Sequence, residues 1–279
     1  MLKNIVILDI MGGLGNQLFQ LSLGIYLKNS GFNVFINPHW YSDQKNFTDG
    51  TTKRNLEINL ELFEFKIIGK NTLFFLNFFK KFYINKALEK INFYKLHEGQ
   101  NFNINEIAKV NRLTGYWQNE NAIFENIPLI KKNILSFYTN LKDEELLENK
   151  IAVHIRKGDY EKIDETLPDT YYLRALNDIF QNNEFEYDIF TDQSEVDFNK
   201  DLYKNAKNIY YSDDESSIKD LIKMFNYSIY IISNSTFSLL AALMSNVPNP
   251  IVYFPSPWFK NLNHKPIIPN NWKSIEYLN

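Results

Sequence analysis

The sequence predicts an α/β protein built on parallel sheets. The apolar run Ile5, Val6, Ile7 and Leu8 enters a glycine turn, then a helical pattern, then a second strand-like run, Phe32 to Asn37, which together make a βαβ unit. In the second half, short β-rich runs alternate with helical segments, the signature of a parallel sheet with helices on both faces. The length of 279 residues, against about 150 for one domain, points to two domains.

In chain order, Ile5 to Leu8 is too short for a lone helix and rich in β-branched residues, so it reads as a buried strand. Leu18, Leu21, Ile25 and Tyr26 then recur at helical spacing, and Gly31 stands where a left-handed cap would end that helix. A βαβ crossover is right-handed, and its first loop lies at the carboxyl end of the sheet, where ligands bind. Tyr41 to Asn55 is polar and reads as a long loop. Leu60 to Tyr138 is mostly helix-like, interrupted by LTGYWQNENAIF, Leu113 to Phe124. The charged segment Leu141 to Lys150 marks the boundary, giving domains 1–147 and 148–279. Strands follow at IAVHI, YDIFT, NIYYS, SIYII and PIVYF, with helices at DTYYLRALNDIFQ, SSIKDLIKMFN and TFSLLAALMS.

Composition narrows the function. With 30 basic and 33 acidic residues the net charge is −3, which does not suit a nucleic-acid binder. The absence of cysteine excludes disulfides and thiolate metal sites, and His39, His97, His154 and His264 show no ligand spacing. The N-terminal apolar run ends in Asp9 and a glycine turn rather than a cleavage site, and no window reaches the roughly 18 apolar residues of a membrane span. The expected location is the cytoplasm. Thr72 to Leu96, aromatic and lysine-bearing, reads either as core-facing helices or as a peripheral contact with the inner membrane face.

The glycine turn GGLGNQ, Gly12 to Gln17, lacks the third glycine and the acidic strand end of a dinucleotide site, since the second strand ends in Asn37 and Pro38. It also lacks the lysine of a P-loop. Two readings stay open: a ligand loop offering backbone and amides, or a tight turn capped by Asn16.

Two loops of the second half carry chemistry. HIRKGDY, His154 to Tyr160, delivers Arg156, Lys157 and Asp159 beyond a strand, and a guanidinium there can grip a phosphate with paired hydrogen bonds. SNSTFS places Ser233, Asn234, Ser235 and Thr236 at a helix start, more polar groups than a cap requires, and so suits an anion. Asp220 reads as an exposed helical residue or as an acceptor for the paired N–H donors of a guanine.

Taken in order, GGLGNQLFQ, GYWQNENAIF, VHIRKGDY, YDIFTD and KDLIKMFNYSIYIISNSTFSLLAAL resemble the bacterial α-1,2-fucosyltransferases of glycosyltransferase family 11 across nearly the whole chain. Lys157 stands where that family usually has a second arginine, and Leu239 and Leu240 where it has two tryptophans. The resemblance implies a GT-B-type fold of two Rossmann-like domains facing a cleft. The first would bind the acceptor, with Trp117 and Gln118, and the second GDP-fucose. It assigns Arg156 to the β-phosphate, Ser235 and Thr236 to the pyrophosphate, Asp220 to guanine with His154 nearby, Asn16 to the donor from across the cleft, and Gly13, Gly15, Ser233 and Asn234 to donor binding. Asp159 is either the general base or the residue that orients Arg156. The implied reaction is inverting transfer of L-fucose from GDP-β-L-fucose to the 2-hydroxyl of a terminal galactose, in surface polysaccharide or O-antigen synthesis, with no metal or cofactor. The alternatives are a transferase of the same fold with another nucleotide sugar or acceptor, and a nucleotide-sugar-binding protein without turnover.

Overall fold

The computed structural model describes residues 4–42, 54–74, 96–98, 112–118, 120–138, 146–181, 185–192, 200–212, 217–262 and 266–278. Most of the polar loop after the second strand, of the aromatic segment Thr72 to Leu96 and of the acidic part of the charged segment 141–150 lies outside these residues. Two compact units divide the chain, one of Met1–Asp49 with Lys53–Ile134, the other of Gly50–Thr52 with Leu135–Asn279. The division expected after residue 147 lies further along the chain than this one.

The first unit comprises β1 (Ile5–Asp9), α1 (Leu14–Asn29), β2 (Asn33–Asn37), β3 (Lys66–Ile67), β4 (Leu96–Glu98), β5 (Arg112–Thr114) and α2 (Glu120–Phe137), with single 3-10 turns at His39–Ser42 and Leu60–Phe63. Its strands pair in parallel in the order β3-β2-β1-β5-β4. Val6, Ile7 and Leu8 are buried, as a central strand covered on both faces requires. The helix α1 buries residues on nearly all sides, and Gly31, at φ 88°, ends it. There the Gly31 and Phe32 amides donate back to the carbonyls of Lys28 and Leu27, a Schellman closure. The helix-like reading of Leu60 to Tyr138 needs correction, because β3, β4 and β5 lie within it. Strands of two or three residues are too short to show a period in sequence.

In the second unit, β6 (Leu147–Ile155), α3 (Gly158–Lys162), α4 (Asp169–Phe180), β7 (Glu186–Thr191), α5 (Asp201–Lys204), β8 (Asn208–Tyr211), α6 (Ser217–Met224), β9 (Tyr227–Ile231), α7 (Thr236–Leu243), β10 (Ile251–Ser256) and β11 (Lys273–Glu276) follow one another. All pairs are parallel, in the order β11-β10-β9-β6-β7-β8. This is the doubly wound Rossmann order, in which the chain reverses direction across the sheet between its first strand, β6, and its fourth, β9. Ile151, Ala152, Val153, His154 and Ile155 are all buried, because helices cover both faces of the sheet. Among the described residues, β11 is the one strand of this unit absent from the sequence reading. Its residues KSIE are mostly exposed at the sheet edge and carry little apolar signal. Two parallel-sheet α/β units are thus what the chain forms.

Candidate functional site

In doubly wound sheets ligands bind beyond the carboxyl ends of the strands where the order reverses. In the second unit that position lies between the loops that follow β6 and β9, and these hold HIRKGDY and SNSTFS. A hydrogen bond of 2.7 Å between His154 Nδ1 and Ser233 Oγ joins the two strand ends. Burial, and then the charge of Arg156, push the His154 pKa down to about 3, so the ring is neutral at physiological pH.

This shift has a stability consequence. Between about pH 3 and 6.5 an unfolded histidine binds a proton that the folded one refuses, so the contribution is complete above about 6.5 and is lost as pH falls, by at most about 1.4 kcal/mol per pH unit. A His154→Gln protein is expected to melt less steeply with acidification from about pH 6.5 to 5 than the parent. Parallel melting curves for the two proteins would contradict this.

Arg156 is mostly buried. Its Nη2 contacts Asp159 Oδ1 at 2.5 Å and its Nη1 contacts Asp192 Oδ2 at 2.6 Å, while its guanidinium lies 5.4 Å from the Tyr160 ring centre. Burial disfavours the charge, but Asp192 and then Asp159 outweigh it and hold the pKa above the ordinary value. Lys157 takes another direction. Its Nζ donates to the Leu167 carbonyl at 3.3 Å and lies 3.8 Å from Asp169. The two successive side chains thus reach different partners.

The four polar residues after β9 are largely engaged within the protein, which revises the reading of them as surplus to a cap. Ser233 holds His154, Asn234 Nδ2 donates to the Glu165 carbonyl at 2.8 Å, and Ser235 Oγ caps α7 by accepting from the Phe237 amide at 3.3 Å. Thr236, the first residue of α7, is partly exposed. Glu165, which the sequence did not single out, is buried, and its carboxylate accepts from the Lys260 and Asn261 amides at 2.7 and 2.8 Å. Through Glu165 the loops before α4, after β9 and after β10 are tied together. Leu239 and Leu240 are both buried, so they act in packing.

Asp220, in the first turn of α6, is buried and accepts from Ser212 Oγ at 2.5 Å. The reading of it as an exposed helical residue is therefore wrong: the hydroxyl at the end of β8 compensates its burial.

In the first unit the order reverses between β1 and β5, and the loops there hold GGLGNQ and GYWQ. Gly12 has φ 79°, a conformation that suits glycine. Gly13 is the N-cap of α1, so Asn16 lies in the first turn and is not the cap, contrary to the turn reading. Gly15 is buried in that turn, and Gly13 and Asn16 are partly exposed. Gln17 is buried. Its Nε2 donates to the Gly12 and Asn55 carbonyls at 3.1 and 2.9 Å, and its Oε1 accepts from the Glu57 and Ile58 amides at 3.0 and 3.3 Å. Gln20 likewise bridges Met11 and Gly115. The glutamines of the motif therefore hold loops in place. Asp9, at the end of β1, receives Arg112 Nε at 2.8 and 3.0 Å, Asn37 Nδ2 at 2.6 Å and the Thr114 hydroxyl. Trp117 is fully buried at φ 50°, so its ring has no face open to a sugar, whereas Tyr116 is 39% exposed and Gln118 partly exposed.

Among the described residues no group of three or more His, Cys, Asp or Glu is placed to hold a metal ion, and no helix is long and apolar enough to cross a membrane.

The chain is 27% identical over 295 residues to an alpha-1,2-colitosyltransferase of Escherichia coli, covering 98% of this chain and 99% of that one. Among solved structures it is similar to the alpha-1,6-fucosyltransferase NodZ of Bradyrhizobium co-crystallised with GDP, at 15% identity and a TM-score of 0.44, over 87% of this chain and 93% of that chain. It is also similar to the E. coli heptosyltransferase WaaC with ADP-2-deoxy-2-fluoro heptose, at 9% identity and a TM-score of 0.41, over 97% and 92%. The sequence profile of Glycosyl transferase family 11 matches residues 50–273, which include both loops of the second unit's reversal point. The chain, a glycosyltransferase of two parallel-sheet units, belongs to glycosyl transferase family 11.

Proposed function

We propose that the chain is an inverting transferase that moves L-fucose from GDP-β-L-fucose to the 2-hydroxyl of a terminal galactose, forming an α-1,2 link in a surface glycan such as O-antigen. The observation that carries the donor half is the meeting, where the second sheet reverses, of the Arg156 guanidinium loop with the N-terminus of α7. A guanidinium has five N–H donors, more than the two contacts to Asp159 and Asp192 use, and a helix start adds backbone N–H groups. Such donors, aimed at a departing diphosphate, each lower the barrier by roughly 3 kcal/mol. On this reading the acceptor oxygen attacks C1 of the sugar from the face opposite GDP, the C1–O bond to the β-phosphate breaks, and the configuration inverts. The acceptor's proton passes to a base. The ion pair of Asp159 with Arg156 supports an orienting role for that carboxylate.

The second unit would then hold the GDP-sugar, with Asp220 accepting from guanine and Thr236 and Ser235 at the diphosphate. The first unit would hold the acceptor, with Tyr116 and Gln118 as the accessible groups of their segment. A second reading, GDP-colitose as donor, is favoured by the E. coli colitosyltransferase. Colitose is L-fucose without its 3-hydroxyl, so the two donors share every phosphate and guanine contact.

The test supplies GDP-fucose, GDP-colitose, GDP-mannose, UDP-galactose and dTDP-rhamnose, each with a β-galactoside, and follows nucleotide release and product linkage by NMR. Acceptor-dependent release from GDP-fucose, an α-1,2 product and full activity in EDTA are expected, with Asp220→Ala raising the donor KM more than it lowers kcat. Preference for GDP-colitose would select the second reading. Use of UDP- or dTDP-sugars alone, or loss in EDTA restored by magnesium, would overturn the mechanism.

A further inference from the structure

Asp192, the residue directly after β7, holds the Arg156 loop at two points. Its Oδ2 lies 2.6 Å from Arg156 Nη1 and its Oδ1 accepts from the Lys157 amide at 2.8 Å, so one carboxylate grips both the guanidinium and the backbone that carries it. The other carboxylate on Arg156, Asp159, is twice as exposed, at 34% against 17% for its side chain. A Cβ added at Gly158 would overlap the Asp192 Oδ2. Gly158 does not adopt the left-handed backbone that calls for glycine, and the atoms a side chain there would crowd are those of the Asp192 carboxylate.

We propose that Asp192 is a positioning residue for Arg156, locking the guanidinium in the orientation that meets the diphosphate, and that position 158 is glycine to admit it. This rests on the donor reading above. A long, flexible side chain grips a phosphate productively only when it is already held in place, and neighbouring strand ends, β6 and β7, supply that hold.

The test uses Gly158→Ala and Asp192→Asn in the full chain. Gly158→Ala is the cleaner variant, because it keeps every charge and places a better helix former at the start of α3. In the ligand-free parent, the Arg156 Nη protons should give resolved 15N-NMR signals, assigned by their loss in Arg156→Lys. Both variants should lose these signals and fall about tenfold in turnover while melting cooperatively near the parent temperature. In an Arg156→Lys background Gly158→Ala should cost almost nothing further, because its effect passes through the guanidinium. Retained signals and parental turnover in Gly158→Ala, or losses that multiply in the double variant, would overturn the proposal. If the parent turns over no GDP-sugar while its Nη signals respond as stated, the donor reading fails and the hold of Asp192 on Arg156 stands.

Discussion

Arg156→Lys is expected to lower turnover by about two orders of magnitude or more although it keeps the charge. The guanidinium reaches Asp159 with one nitrogen and Asp192 with another, and the plane so fixed is what a diphosphate would meet. A lysine ammonium is a compact charge on a flexible stem: it can satisfy one carboxylate, but not present a flat fork to a leaving group whose charge grows in the transition state. Lys157→Ala should cost far less, because Lys157 turns toward Leu167 and Asp169 instead. Steady-state kcat with the donor identified by the panel decides the matter. Near-parental turnover in a folded Arg156→Lys protein, or greater damage in Lys157→Ala, would show that the phosphate ligand lies elsewhere.

Asp9→Ala is expected to destabilise the first unit by about 3 kcal/mol, which lowers its melting temperature by roughly 10 °C. Asp9 is buried and collects Asn37 from β2 and both Arg112 and the Thr114 hydroxyl from β5. Deleting the carboxylate leaves a largely buried guanidinium without its counter-charge, and that costs more than the pair contributes. For the same reason a double variant, Asp9→Ala with Arg112→Leu, should recover part of the loss. Calorimetry, read on the lower transition if the units unfold separately, gives the answer. A shift under about 2 °C would mean that Arg112 finds compensation in its other contacts.

The sequence alone determined the α/β class and most of the second unit. Strands such as IAVHI and YDIFT are runs of apolar and β-branched residues bounded by turns, and helices such as DTYYLRALNDIF carry an apolar stripe, so local pattern and global fold agree there. It also marked the Arg156 and Ser233–Thr236 loops, since polar residues directly after buried strands must emerge at the carboxyl edge. The short strands of the first unit escaped it, because two or three residues carry no period. Tertiary structure alone decided which polar groups face one another. Asp192 reaches Arg156 because β7 lies beside β6, and His154 meets Ser233 because β9 lies on its other side. The partners of Gln17, Asp9 and Glu165 come from as far as 105 positions away. What a side chain is for depends on its spatial neighbours: the buried Trp117 and the loop-binding Gln17 look in sequence like ligand-facing groups, and only the sheet order and the packing of helices on it showed that they serve the fold.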